Sequence, residues 1–152
     1  LSAIASLTLL DRSGVPELAR LAQTSPSSLH TYLAEHGRRP PEEYDWSGYC
    51  MLYVLTYLQE RDVDLERSEF QPESAAINGS CGMSLLIPPA DEGLLGRLDP
   101  AGHSTKELAA HFAEMGFDSS EESVMAGLDG LRLLRDTIAH LREDEVLLLQ
   151  IG

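Results

Sequence analysis

Apolar and polar positions alternate along the chain in two rhythms, one near every second residue and one near every third or fourth, and the switches between them predict the elements. Ile4 to Leu10 is short, partly alternating and stopped by Asp11-Arg12-Ser13-Gly14, the pattern of a strand with a helix as its rival. Val15, Leu18, Leu21 and Ala22 recur at helical spacing around Pro16, which suits a first helical turn, so residues 15–23 are predicted helical. Ser25 caps and Pro26 opens a second helix with the stripe Leu29, Tyr32 and Leu33, and Gly37 is placed to end it in a left-handed conformation. Arg38-Arg39-Pro40-Pro41-Glu42-Glu43 reads as a connector.

Asp45 is placed to cap the stretch from Trp46 to Leu58, which carries no charge and is apolar on nearly all sides. Such a helix belongs in the middle of a domain. Trp46, Tyr49, Tyr53 and Tyr57 share one stripe of it, and buried phenols need polar partners, water or an interface. From Arg61 to Glu73 the chain is acidic and weakly patterned, which predicts loop, and Ile77 to Cys81 reads as a turn around Asn78-Gly79. Met83 to Ile87, closed by Pro88-Pro89, suits a strand, and Asp91 to Leu98 a short helix. Ser104-Thr105-Lys106-Glu107 is a capping box for a helix through Phe112 to Gly116. Ser119-Ser120-Glu121-Glu122 is a second, for a long helix from Val124 to Leu141 with Gly127 and Gly130 as candidate breaks. Glu145 to Ile151 reads as a buried strand. The expectation is one α+β domain over residues 1–152, mostly helical, with a central apolar helix 46–58 and a small sheet that includes the C-terminal strand 146–151.

Composition agrees with that picture. A chain of 152 residues, 43% hydrophobic and 24% charged, has room for a core that needs no disulfide or metal to hold it. Its longest nearly apolar stretch, Tyr49 to Leu58, is half of the roughly 20 residues a membrane span requires. Leu1 to Leu10 lacks the basic flank and small-residue cleavage pattern of a secretory leader, although one removed earlier stays open. Cys50 lies in an apolar run and Cys81 in a Gly-Ser segment, and their pairing would need Cα atoms within about 7 Å. Reduced thiols and a cytoplasmic location are the expectation.

Charge changes the picture most. The net charge is −14, and it is uneven: residues 1–41 carry +1, residues 42–73 carry −7 and residues 74–152 carry −8. Such a surface repels nucleic acid and anionic membranes, and it attracts a basic protein. Solubility alone is the plain rival explanation. There is no Gly-rich phosphate loop, no Gly-x-Ser-x-Gly elbow and no paired-carboxylate pattern, so no cofactor and no catalytic residue is implied. The contact acids are then expected to be Glu60, Asp62, Asp64, Glu66 and Glu69, with Tyr53 and Tyr57 as aromatic anchors where their helix edge is exposed.

Other readings compete. Residues 15–35 look like a helix-turn-helix, but Gln23 stands where the turn glycine belongs and residues 26–35 hold no Arg or Lys to read DNA. Cys81 on its small-residue turn is a candidate thiol nucleophile with His103 or His111 as base. The histidines show no metal-type pair at i, i+4, and Asp62-Val63-Asp64-Leu65-Glu66 lacks the glycine and distal glutamate of a calcium loop.

The succession of an early strand, Val15-Pro16-Glu17-Leu18 and Ser25-Pro26-Ser27-Ser28-Leu29 opening two helices, Trp46 before Leu52 and Leu55, and a long helix 128–141 running into 146–151 resembles the YfbM-like family of small bacterial α+β proteins. The resemblance implies one compact domain and no established chemistry. It also implies that residues 15–33 pack beside a sheet. Together these readings point to a non-catalytic acidic protein-binding domain, an inhibitor or immunity-type protein that neutralises a basic partner.

Overall fold

The computed structural model describes residues 3–152, apart from the side chains of Ser80 and Cys81. Its sheet has three antiparallel strands in the order β1 (Ala5–Asp11), β3 (Glu145–Ile151), β2 (Met83–Ile87). The last strand in the chain is therefore the middle one in the sheet. Leu7 pairs with Leu149 on one side, and Leu85 pairs with the same residue on the other. Both faces of β3 are covered, which is why Val146-Leu147-Leu148-Leu149 is an unbroken apolar run rather than an alternating one.

Alternate residues of the strands enter two cores. Leu7, Leu85, Ile87, Leu147 and Leu149 face the larger one, roofed by α3 (Gly48–Glu60), α5 (Glu92–Leu98), α6 (Thr105–Glu114) and α7 (Glu121–Ala139). Leu10, Leu86, Val146 and Leu148 face the smaller, covered by α1 (Val15–Thr24), α2 (Pro26–His36) and α4 (Gln71–Cys81). The architecture is α+β and mostly helical, and it includes the C-terminal strand in the sheet. Val15, Leu18, Ala22 and Leu29 of the helix-turn-helix-like segment are buried in that second core. Among the described residues no helix is long and apolar enough to cross a membrane.

Several expectations shift. The central helix starts at Gly48, not Trp46, because Ser47 rather than Asp45 caps it, its Oγ accepting from the Tyr49 amide at 3.3 Å. Gly37 ends α2 in an extended conformation (φ −83°, ψ 155°), since Arg38 immediately pairs with Leu9 beside β1. Residues 71–81 form a helix where loop and turn were expected. The buried side of α4 runs through Phe70, Ser74 and Ile77, and a serine in that stripe hides its helical period. Ser74 is there for the sheet: its Oγ accepts from the Leu86 amide at 3.0 Å, Asn78 Oδ1 accepts from the Ser84 amide, and Ser68 Oγ donates to the Leu86 carbonyl at 3.2 Å. Side chains thus satisfy the outer edge of β2. Gly127 and Gly130 do not break α7. A Cβ on Gly127 would stand 2.8 Å from Leu108 Cδ2 and 3.1 Å from Phe112 Cζ, so the glycine is where α6 lies close against α7.

Candidate functional site

The last turns of α3 and α6 meet beside the acidic segment 61–70. Thr56, Tyr57 and Glu60 come from α3, and Glu107, His111 and Glu114 from α6, whose start is fixed by Ser104 Oγ accepting from the Lys106 and Glu107 amides. Positions 107, 111 and 114 fall on one face by helical spacing. His111 is buried, with its Nε2 2.8 Å from Thr56 Oγ1 and its Nδ1 3.1 Å from Glu60 Oε2. His103, just before α6, approaches from the other side of Tyr57. A carbonyl only accepts, so His103 Nε2–H donates to the Arg97 carbonyl at 2.7 Å, and its Nδ1 accepts from the Tyr57 hydroxyl at 2.9 Å. Burial pushes the Tyr57 phenol up, opposed by the Arg61 guanidinium stacked 3.9 Å above the ring centre. Arg61 also pairs with Glu107 at 2.7 Å.

Beyond Glu60 the chain turns sharply. Asp62 adopts φ 63°, and the Val63 amide donates back to the Leu58 carbonyl at 2.9 Å, the bond pattern of a left-handed helix stop. Val63 and Leu65 then enter the core at 3% and 6% exposure, which leaves Asp62 exposed and Asp64 and Glu66 half-buried at the surface. Arg97 holds this backbone through the Arg61 and Asp62 carbonyls. Asp64 Oδ1 accepts from the Glu66 amide at 3.0 Å, and Arg67 reaches the other oxygen at 3.4 Å.

The expected contact residues therefore divide. Asp62, Asp64 and Glu66 form one surface ridge. Glu60 faces His111. Glu69 is paired with Arg12, whose guanidinium lies 4.9 Å above the Phe70 ring beside the second core, so it is neutralised. Tyr53 is half-buried against Phe117, ring centres 4.7 Å apart. Tyr57 is corrected outright: at 0% exposure, with its hydroxyl bonded to His103, it is not a surface anchor, because its helix edge is closed over by α6 and the 97–103 turn. The side chain of Cys81, the candidate nucleophile, lies outside the described residues. The sequence offered His103 and His111 only as bases for Cys81, and it gave no sign of Thr56 or of the partners the two histidines have here. The signal in reach was the three-residue spacing of His111 and Glu114, whereas Glu60 is 51 residues from His111 and only the fold joins them.

No protein-family model, curated protein or solved structure matches the chain.

Proposed function

We propose that this chain is a non-catalytic binding domain that uses the ridge Asp62, Asp64 and Glu66 to recognise a basic protein, in the manner of an inhibitor or immunity-type protein. One observation carries the reading: Val63 and Leu65 anchor the segment in the core, so its carboxylates are presented in a fixed array and not on a mobile loop. A preorganised array loses less conformational entropy on binding than a flexible one. Among the described residues Arg67 is the one cation that touches it, paired with Asp64 at 3.4 Å from a side chain that is itself 83% exposed. Arg61 is spent on Glu107 and the Tyr57 ring, Arg97 on backbone carbonyls, and Asp62 and Glu66 have no cationic partner among the described residues. The excess of carboxylates elsewhere adds long-range attraction that speeds encounter. The resemblance to the YfbM-like family assigns no chemistry and is compatible with this use.

The test is affinity capture from the native lysate at low salt, with the parent and a doubly charge-reversed variant, Asp62→Lys with Glu66→Lys. The parent should retain a basic protein that moderate salt releases, and the variant should lose it while keeping the parent's circular dichroism. Equal capture by both, or retention of partners that are not basic, would sink the reading.

A further inference from the structure

His111 lies in the last turn of α6 and Glu114 is its final residue, while Glu60 is the final residue of α3. One ligand atom from each of the three lies within 4.8 Å of the other two. The set is an imidazole nitrogen and two carboxylates supplied by two helices, a mixed nitrogen and oxygen set that zinc and neighbouring first-row metals accept.

Hydrogen-bond polarity points to the same spot. Thr56 Oγ1 donates to the Tyr53 carbonyl at 2.9 Å, which leaves it to accept from His111 Nε2 at 2.8 Å. An imidazole with its proton on Nε2 turns a bare Nδ1 lone pair toward Glu60 Oε2, 3.1 Å away. Lone pair and carboxylate repel unless a positive charge, proton or metal ion, lies between them. The burial of His111 at 4% exposure sharpens that demand. Because α3 and α6 both end here, the partial negative charge of two helix carboxyl ends falls on the same place. Glu114 is exposed and has no hydrogen bond or ion pair among the described residues, so it is free to close onto an ion at the roughly 2 Å bond lengths zinc makes. Arg61 is drawn off to Glu107 and Tyr57.

We infer that His111 Nδ1, Glu60 and Glu114 bind a divalent transition-metal ion of the zinc class. Thr56 orients the imidazole from its far nitrogen, and a solvent-facing position is left for water. A ligating histidine whose other nitrogen is held by an oxygen is the usual outer-shell arrangement.

The experiment is calorimetric titration of chelator-stripped protein with Zn²⁺, with Co²⁺ absorption as a coordination readout. One ion per chain is expected. Glu60→Gln and Glu114→Gln should each abolish saturable binding, and Thr56→Val should weaken it roughly 10–100-fold, with Thr56→Ser restoring it. Zn²⁺ should raise the unfolding temperature of the parent and not that of Glu114→Gln, whose metal-free unfolding matches the parent because the side chain is exposed and unpartnered. No saturable binding, or equal binding by the parent and both glutamine variants, would overturn the inference and leave a proton as the charge between His111 and Glu60. Either result leaves the acidic ridge untouched, since Asp62, Asp64 and Glu66 are not ligands.

Discussion

Among the described residues Asp62 is the one non-glycine with a left-handed backbone, at φ 63°, a local cost for a residue that has a Cβ. Glycine is the residue that usually closes a helix this way. An aspartate kept there gives up stability, and its carboxylate is the first of the surface ridge. Asp62→Gly is therefore expected to stabilise the fold by about 0.5–1 kcal/mol in urea denaturation, the usual gain from relieving such a position. In the capture experiment the same variant should retain less partner. A variant more stable and equally retentive would remove Asp62 from the contact set. The alternation at 62–66 was legible in the sequence as acid and aliphatic in turn. Its meaning was not, because only burial of Val63 and Leu65 distinguishes an anchored ridge from a solvated loop.

At the scale of elements, α7 is held by close approach and not by breaks. Its start is fixed by Ser120, and Asp118 accepts from the Ser120 and Ser123 hydroxyls at 2.8 Å each. Those hydroxyls, Ser120 first, hold the Asp118 carboxyl below the ordinary range. Gly127→Ala gains helix propensity of up to about 1 kcal/mol but drives a Cβ to 2.8 Å from Leu108 Cδ2 and 3.1 Å from Phe112 Cζ, two side chains at 0% exposure in a close-packed core. Overpacking costs about 1–3 kcal/mol, so the net effect on thermal unfolding should be destabilising. Gly96→Ala, in α5, meets nothing within 4 Å and should stabilise by about 0.5–1 kcal/mol. Opposite signs for the two variants separate packing from propensity. Sequence placed β1, α1, α2, α5, α6, α7 and both later strands close to where they stand, since each has an apolar period or a cap. It missed α4, whose buried Ser74 serves the edge of β2 and so reads as polar.

At the scale of the molecule, the excess of negative charge meets a sheet whose middle strand begins with a buried glutamate. Glu145, at 6% exposure, is held by the amide of Arg142 in the turn before β3 at 2.9 Å and by the guanidinium of Arg38 in the connector after α2, which also reaches Asp11 at the end of β1 at 3.4 Å. The amide bond first, and Arg38 after it against the opposing effect of burial, holds this carboxyl below the ordinary glutamate value. A group depressed in the folded state stabilises above its unfolded pKa, and that contribution disappears as pH falls through the folded value. The stability gap between the parent and Glu145→Gln should therefore be full at neutral pH and shrink below about pH 4.3, in denaturant titrations across the acid range. A gap that stays constant with pH would show that the charge of Glu145 does not matter.

The sequence by itself determined the class of the fold, the buried strand at its end, the apolar helix in its middle and the sign of its surface. These depend on composition, period and caps within a dozen or so residues. Only the tertiary structure decided that β3 sits between β1 and β2, that Tyr57 is sealed beneath His103, and that Glu60, His111 and Glu114 meet. Strand order and side-chain encounters between distant segments are settled by which apolar faces cover one another, and periodicity shows only that such faces exist.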